Sequence, residues 1–292
     1  MERVSFYDHI AANKRNSVFL VLIVIIFMVF LGYLIGLILG SVLAGVMIAV
    51  SVSIFLTLIG VFSGDDIVLS ASHAEPADKK QYANLVNTVE GLSIAAGIPM
   101  PKVYVIKDPT INAMAIGRNP KKASIAVTTG ALEKLNRSEL EGVIGHEMSH
   151  IKNYDVRFMM LTTILVGIVI LLSDFFIRAF FYSGGDNDRK VPAVFLVFAL
   201  VLAILAPIGG TLIKLAVSRK REFLADANGA LLTRHPQGLA NALKKIKEDG
   251  TNPSSTANKA IAHLYFSNPF KNGNLFSTHP DIDGRISRLE SM

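Results

Sequence analysis

Charge-free stretches set the rhythm of this chain. From Asn16 to Gly64 no Asp, Glu, Lys or Arg appears, which is room for two helical spans at roughly 20 residues each, with Gly40-Ser41 as the place to turn. A second pair of apolar runs follows: Phe158 to Ser173 is unbroken, Asp174 and Arg178 then intrude, and after "SGGDNDRK" the run from Val191 to Ile213 is again free of charge. The pattern predicts four transmembrane helices. A cleaved signal peptide accounts poorly for the first run, whose apolar part exceeds the usual length of about 7 to 15 residues and is followed at once by another. For the third run, a buried helix hairpin stands as the alternative because of its charges. Asp174 and Arg178 are four apart and share a helix face, where they can pair, while Phe175, Phe176, Phe180, Phe181 and Tyr182 read as an interfacial aromatic belt.

Between the spans the period changes. Tyr82, Leu85, Val86, Val89, Leu92 and Ile94 recur at mostly helical spacing and predict a helix within 77–96, ended by Gly97 and Pro99. "PKVYVIKD", "INAMAIG" and "ASIAVTTG" then alternate or run short between turn residues, which predicts a small antiparallel sheet. In "NRSELEGVIG", Ser138 and Glu141 have the spacing of a capping box and set the next helix to begin near Ser138.

Composition agrees with a membrane protein. Hydrophobic residues make up 51% and charged residues 18%, against about 25% charged in ordinary soluble domains. Cysteine is absent, which excludes disulfides, thiolate nucleophiles and thiolate metal sites. The net charge of +6 comes without an aromatic-interleaved nucleic-acid motif, so no nucleic-acid partner is expected. Orientation accounts for it better. Arg3, Lys14 and Arg15, the segment Asp65 to Arg157 and the tail from Ser218 are rich in Lys and Arg, whereas the patch between the third and fourth runs holds Arg189 and Lys190 balanced by Asp186 and Asp188. Four spans put both termini and the middle segment on one side, the cytoplasm. The expected organisation is a transmembrane hairpin over 1–64, a second over 158–217, and one cytosolic domain assembled from 65–157 and 218–292.

That arrangement returns the chain to the same membrane face, where distant residues can meet. "GVIGHEMSHIKNYD" puts His146 and His150 four apart on one helix face with Glu147 beside them. Two imidazoles at that spacing can hold one Zn²⁺, and catalytic zinc needs a third protein ligand plus an open position. Glu147 is placed to take a proton from a water there and hand it to a leaving amine. In "SRKREFLADANG", just after the fourth run, Glu222 can be the third ligand and Asp226, four residues on, can hydrogen-bond a ligand histidine and fix its ring. A zinc-stabilised scaffold without turnover would prefer a fourth protein ligand to a base beside an open position. A transporter would depend on Asp174 and Arg178 rather than on the histidines.

H-E-x-x-H followed by E-x-x-x-D resembles the gluzincin arrangement. With two spans between the motifs, "IAANKRNS" ahead of the first span, "NAMAIG" and the late "FSTHP", nearly the whole chain is similar to the HtpX-type membrane zinc endopeptidases, relatives of the CAAX prenyl endopeptidases. The resemblance implies an α+β protein: four transmembrane helices with a mainly helical cytosolic gluzincin-type metalloprotease domain. It implies a multi-pass protein of the bacterial or archaeal cell membrane with a cytoplasmic active site, one Zn²⁺ per chain on His146, His150 and Glu222, and Glu147 as base and acid. Its substrates would be polypeptides, among them misfolded membrane proteins, in quality control. It also implies that Asn112 and its edge strand bind extended substrate and that His279 stabilises the oxyanion. The departure is Asp281, where the family commonly has a second proline after "HP".

Overall fold

The computed structural model describes residues 6–38, 40–163, 219–249, 261–267, 269 and 280–292. The chain divides into two compact units. One combines Met1–Lys14, Gly64–Met160 and Ala216–Met292; the other combines Arg15–Ser63 and Leu161–Leu215.

Two long helices open the chain, α1 (Phe6–Ile38) and α2 (Val42–Ala71). Both are long and apolar enough to cross a membrane, over Ile10–Phe30 and Val42–Ala71. Small residues let them meet closely: a Cβ on Gly32 would collide with that of Ala49, and one on Gly45 with the Gly32 carbonyl oxygen. Such close backbone approach is how apolar helices associate where burial from water offers little. The third and fourth expected spans, with Asp174 and Arg178, fall on 164–218 for nearly all their length and so lie outside the described residues.

A four-stranded sheet and a group of helices form the first unit. Strands β1 (Ala74–Pro76), β2 (Lys102–Ile106), β3 (Ala113–Asn119) and β4 (Lys122–Thr128) lie in the order β1-β2-β4-β3. The pairs β1-β2 and β3-β4 are antiparallel, but β2 and β4 run parallel, Val103 against Ile125 and Val105 against Val127. The sheet is therefore mixed, not antiparallel as the sequence suggested. The tight turn after Asn119, whose side-chain oxygen accepts the backbone N–H groups of Lys121 and Lys122, folds β4 back along β3. It is β4, buried from Ala123 to Thr128, that takes the interior place beside β2.

Helix α3 (Ala83–Ala96) covers the C-terminal 14 residues of the range expected for it and ends at Gly97, whose φ of 68° suits a residue without a Cβ. Leu85, Val86, Val89 and Leu92 face inward while Ile94 points to solvent. A short α4 (Thr129–Lys134) leads to α5 (Arg137–Lys152). After 164–218 come α6 (Arg219–Thr233), α7 (Pro236–Asp249) and α8 (Ile282–Glu290).

The capping box of α5 lies two residues earlier than expected. Asn136 accepts from the Glu139 N–H at 3.0 Å and Glu139 accepts from the Asn136 N–H at 2.8 Å. Asn is as good an N-cap as Ser, and this phase buries Glu139 where Lys245 of α7 reaches it at 2.7 Å. Ser138 instead donates to Asn136, and Glu141 pairs with Arg137. Nearly every residue of α5 from Glu139 to Ile151 is buried, because α3, β3, α6 and α7 all pack against it. Glycines make this possible: a Cβ on Gly142 would be 2.6 Å from the Leu239 nitrogen of α7, and one on Gly229 of α6 would be 2.8 Å from the His146 nitrogen. The motif-bearing helix is thus the centre of the unit.

Candidate metal centre

Burying two histidines and two glutamates in a protein interior is costly unless they hold one another or a cation. On α5, His146, Glu147 and His150 are 1%, 2% and 4% exposed; on α6, Glu222 and Asp226 are 2% and 3% exposed. The close contact at Gly229 brings the two helices together so that three donor atoms converge. His146 Nε2 and His150 Nε2 are 3.1 Å apart, and the Glu222 carboxylate oxygens lie 3.6 Å from the first and 3.5 Å from the second. Ligands at about 2.0 to 2.1 Å in a tetrahedral zinc site stand roughly 3.3 to 3.4 Å from each other, so the three atoms fit around one ion with little adjustment.

Both rings are held from behind. His146 Nδ1 meets Asp226 Oδ1 at 2.8 Å, and His150 Nδ1 meets Asp155 Oδ2 at 3.0 Å. A carboxylate at Nδ1 fixes the tautomer that leaves the Nε2 lone pair for a metal. Asp226 is gripped in turn by Arg285 of α8, Nε to Oδ2 at 2.9 Å and Nη2 to Oδ1 at 2.6 Å. Burial by itself would raise the Asp226 carboxyl, but the Arg285 charge and the His146 hydrogen bond hold it below the usual range. The Arg285 guanidinium lies over the Phe266 ring, which meets the His146 ring edge-on at 4.9 Å.

The two imidazoles titrate apart. Burial takes His146 down to about 4, with the nearby Arg285 charge adding to the fall against the pull of Asp226. Burial acts downward on His150 too, but the Asp155 hydrogen bond and the charges of Glu222, Asp155 and Glu147 outweigh it and push it up to about 9. Burial also raises Glu147 to about 7, opposed by the His150 charge and by a backbone hydrogen bond from Ala115 of β3.

That last bond ties the motif to the sheet edge. Asn112, immediately before β3, uses its carboxamide on an internal segment: Nδ2 donates to the Ser267 carbonyl at 3.0 Å and Oδ1 accepts the Ser267 N–H at 3.1 Å. Beside it the Phe266 N–H donates to Ala113 O at 2.7 Å, and Tyr265 bridges Met114 in antiparallel sense. The segment Tyr265–Ser267 therefore lies along the outer edge at the start of β3. His279 lies outside the described residues. Asp281 is the N-cap of α8, its side chain accepting from the Gly284 N–H at 3.3 Å.

Three groups at the centre were not anticipated. Asp155 sits five residues beyond His150 and is brought back by a turn at Asn153 and Tyr154. Asn13 bonds Asp155 from α1. Arg285 did leave a signal: Ile282, Arg285, Ile286 and Leu289 form one helical stripe, and a charge on an apolar stripe asks for a buried partner.

Three converging donors with a carboxylate beside them are the arrangement of a metallopeptidase, in which one helix carries two of the groups that could hold the ion. Comparison with known proteins places it further. Residues 79–292 match the model of peptidase family M48, and the chain belongs to that family. It is 45% identical over its whole length to a protein of Dictyoglomus thermophilum named protease HtpX homolog, covering 96% of that protein. It is 43% identical to one of the same name from Listeria monocytogenes, with 98% and 99% of the two chains covered. Among solved structures, Ste24p of S. mikatae shares the fold, with a TM-score of 0.51 and 19% identity; the match covers 90% of this chain and 61% of that one.

Proposed function

We propose that this chain is a membrane-anchored, zinc-dependent endopeptidase that cuts polypeptide segments on the cytoplasmic face of the cell membrane, with misfolded membrane proteins among its substrates in quality control. The observation that carries the reading is the convergence of His146 Nε2, His150 Nε2 and a Glu222 carboxylate oxygen within 4.8 Å of one another, with Glu147 next to them and both Nδ1 atoms committed to carboxylates. His146, His150 and Glu222 would hold Zn²⁺, which when bound lowers the pKa of a coordinated water toward about 7 and polarises a carbonyl. Glu147 takes the proton of the attacking water and returns it to the departing amine; a carboxyl near neutrality suits both transfers. Asp226 and Asp155 keep the two rings in register. Helices α1 and α2 supply the anchor. An extended polypeptide is presented along the edge of β3 beyond the stretch that Tyr265–Ser267 pairs with, so that Asn112 acts by holding that segment at the start of the strand, and His279 steadies the oxyanion.

The test uses the full chain purified in detergent, with zinc content and cleavage of an unfolded polypeptide measured on the same samples. Glu147→Gln should retain about one zinc per chain while kcat falls on the order of 10²- to 10⁴-fold; His146→Ala should lose both. Cleavage by Glu147→Gln at the wild-type rate would remove the base from the scheme, and a wild-type chain without zinc or turnover would remove the scheme itself.

A further inference from the structure

We infer that Asn13, on the first helix just ahead of the charge-free run, is a positioning residue for the metal ligand His150. The contacts form a short relay. Asn13 Nδ2 donates to Asp155 Oδ1 at 2.6 Å and to the carbonyl of Asn153 at 3.0 Å, and the other oxygen of Asp155 meets His150 Nδ1 at 3.0 Å. The sequence distance is 142 residues between Asn13 and Asp155, yet all three side chains are buried, Asn13 at 6%, Asp155 at 1% and His150 at 4% exposed. Two hydrogens on one amide nitrogen satisfy a carboxylate and a turn carbonyl together, which fixes both where the turn meets the ligand.

The turn needs fixing. Helix α5 stops at Asn153, and Tyr154 takes φ 61°, a left-handed conformation costing a bulky residue of order 1 kcal/mol or more. Only because the chain reverses there can Asp155 face His150, since positions five apart on a continuous helix do not share a face. Lys14, next to Asn13, lies 4.4 Å from the centre of the Tyr154 ring. The end of α1 that enters the first apolar run thus holds both residues of the turn and the carboxylate that orients the ligand. The segment "IAANKRNS", which the peptidase chemistry alone leaves without a task, gains one.

This inference rests on the proposed zinc reading, and its experiment separates the two. In the detergent-purified full chain, apparent zinc affinity is read by competition with a chromophoric chelator, alongside kcat and KM on an unfolded polypeptide. Loss of a group that orients a metal ligand directly weakens binding by about 10- to 100-fold; one step further back, Asn13→Ala is expected to weaken it roughly 3- to 10-fold, lowering kcat with KM little changed. Arg15→Ala, an exposed neighbour, should leave affinity within about twofold. The double variant Asn13→Ala with Asp155→Ala should bind zinc no more weakly than Asp155→Ala alone, because the relay is already cut. Asn13→Gln keeps the amide donor on a longer arm and should recover affinity above that of Asn13→Ala. If Asn13→Ala does not fold, Asn13→Gln takes its place in the cycle: the displaced donor should weaken zinc binding while Asp155 is present and change nothing further in the Asp155→Ala chain. Wild-type affinity in the Asn13 variant, or losses that multiply in the double variant, would overturn the inference while leaving the peptidase reading intact. Failure of the wild type to bind zinc would overturn both.

Discussion

His146 and His150 stand one turn apart on one helix, each with a carboxylate at Nδ1, yet the two carboxylates are held differently. Asp226 behind His146 is clasped by a buried guanidinium through two hydrogen bonds. Asp155 behind His150 receives a neutral amide from Asn13. A carboxylate whose charge is already matched by a cation does little to keep a proton on the imidazole it faces, and burial wins: His146 falls to about 4. At His150 the Asp155 hydrogen bond is joined by the charges of Glu222 and Glu147, and together they push the imidazole up to about 9. The same local device, carboxylate on imidazole, gives opposite titrations because the Arg285 charge stands beside His146 while the Glu222 and Glu147 charges join Asp155 at His150.

The largest effect should come from breaking the clasped side. Asp226→Ala removes both hydrogen-bonded contacts of Arg285, which is 1% exposed, and leaves it a Glu222 oxygen at 3.8 Å, and removal of one member of a buried ion pair costs about 3 to 5 kcal/mol. Thermal unfolding of the metal-free chain reads this directly. An unfolding midpoint equal to that of Asp155→Ala would mean that the guanidinium finds another partner and that the two sides are energetically alike. Asp155→Ala takes an acceptor from a neutral amide and a counter-charge from His150, but an imidazole, unlike the Arg285 guanidinium, can shed its proton, so most of its effect should appear in the metal. Zinc affinity is expected to fall about 10- to 100-fold, with the metal-free chain losing less stability than in Asp226→Ala. Chelator competition checks the first half and unfolding the second.

How much of this asymmetry could be read before the fold was known depends on whether a residue's role follows from helical period. His146, Glu147 and His150, and Glu222 with Asp226, are spaced so that one helix face carries the chemistry, and a helix is a local object. Arg285 was legible in principle, as the one charge on the stripe of Ile282, Ile286 and Leu289. Asp155 was not, because its place depends on the left-handed turn at Tyr154, and nothing in a tyrosine announces positive φ. Nor was Asn13, whose partner lies on the far side of a membrane-length helix pair in the sequence. Sheet order escaped for a related reason: alternation along "ASIAVTTG" reports which faces are buried but not which strand is the neighbour. The helix start was displaced from Ser138 to Asn136 because two boxes overlap in "NRSELE", and Lys245, distant in sequence, favours the one that buries Glu139.

Glu147 is where the two sides meet, and there the difference between them should be smallest. Burial first, then the opposed charges of His150 and Glu222, set its carboxyl at about 7 against an ordinary 4.5. The sign is that of any raised carboxyl acting as a base: above its pKa Glu147 is ionised and can accept a proton, and below it the base is lost. A divalent cation alongside favours the ionised form, so in metal-loaded protein the acid limb of kcat/KM belongs between 4.5 and about 7. Asp226→Asn and Asp155→Asn each remove a charge from behind an imidazole while keeping its shape. With both rings fixed on the metal, either change should move the limb by less than about half a pH unit. A profile over roughly pH 4 to 8 measures it. A limb displaced by more than about one unit in one variant and not in the other would mean that the asymmetry passes through the imidazoles to the base, and that the clasp on Asp226 and the amide on Asp155 belong to one proton network rather than to two separate supports.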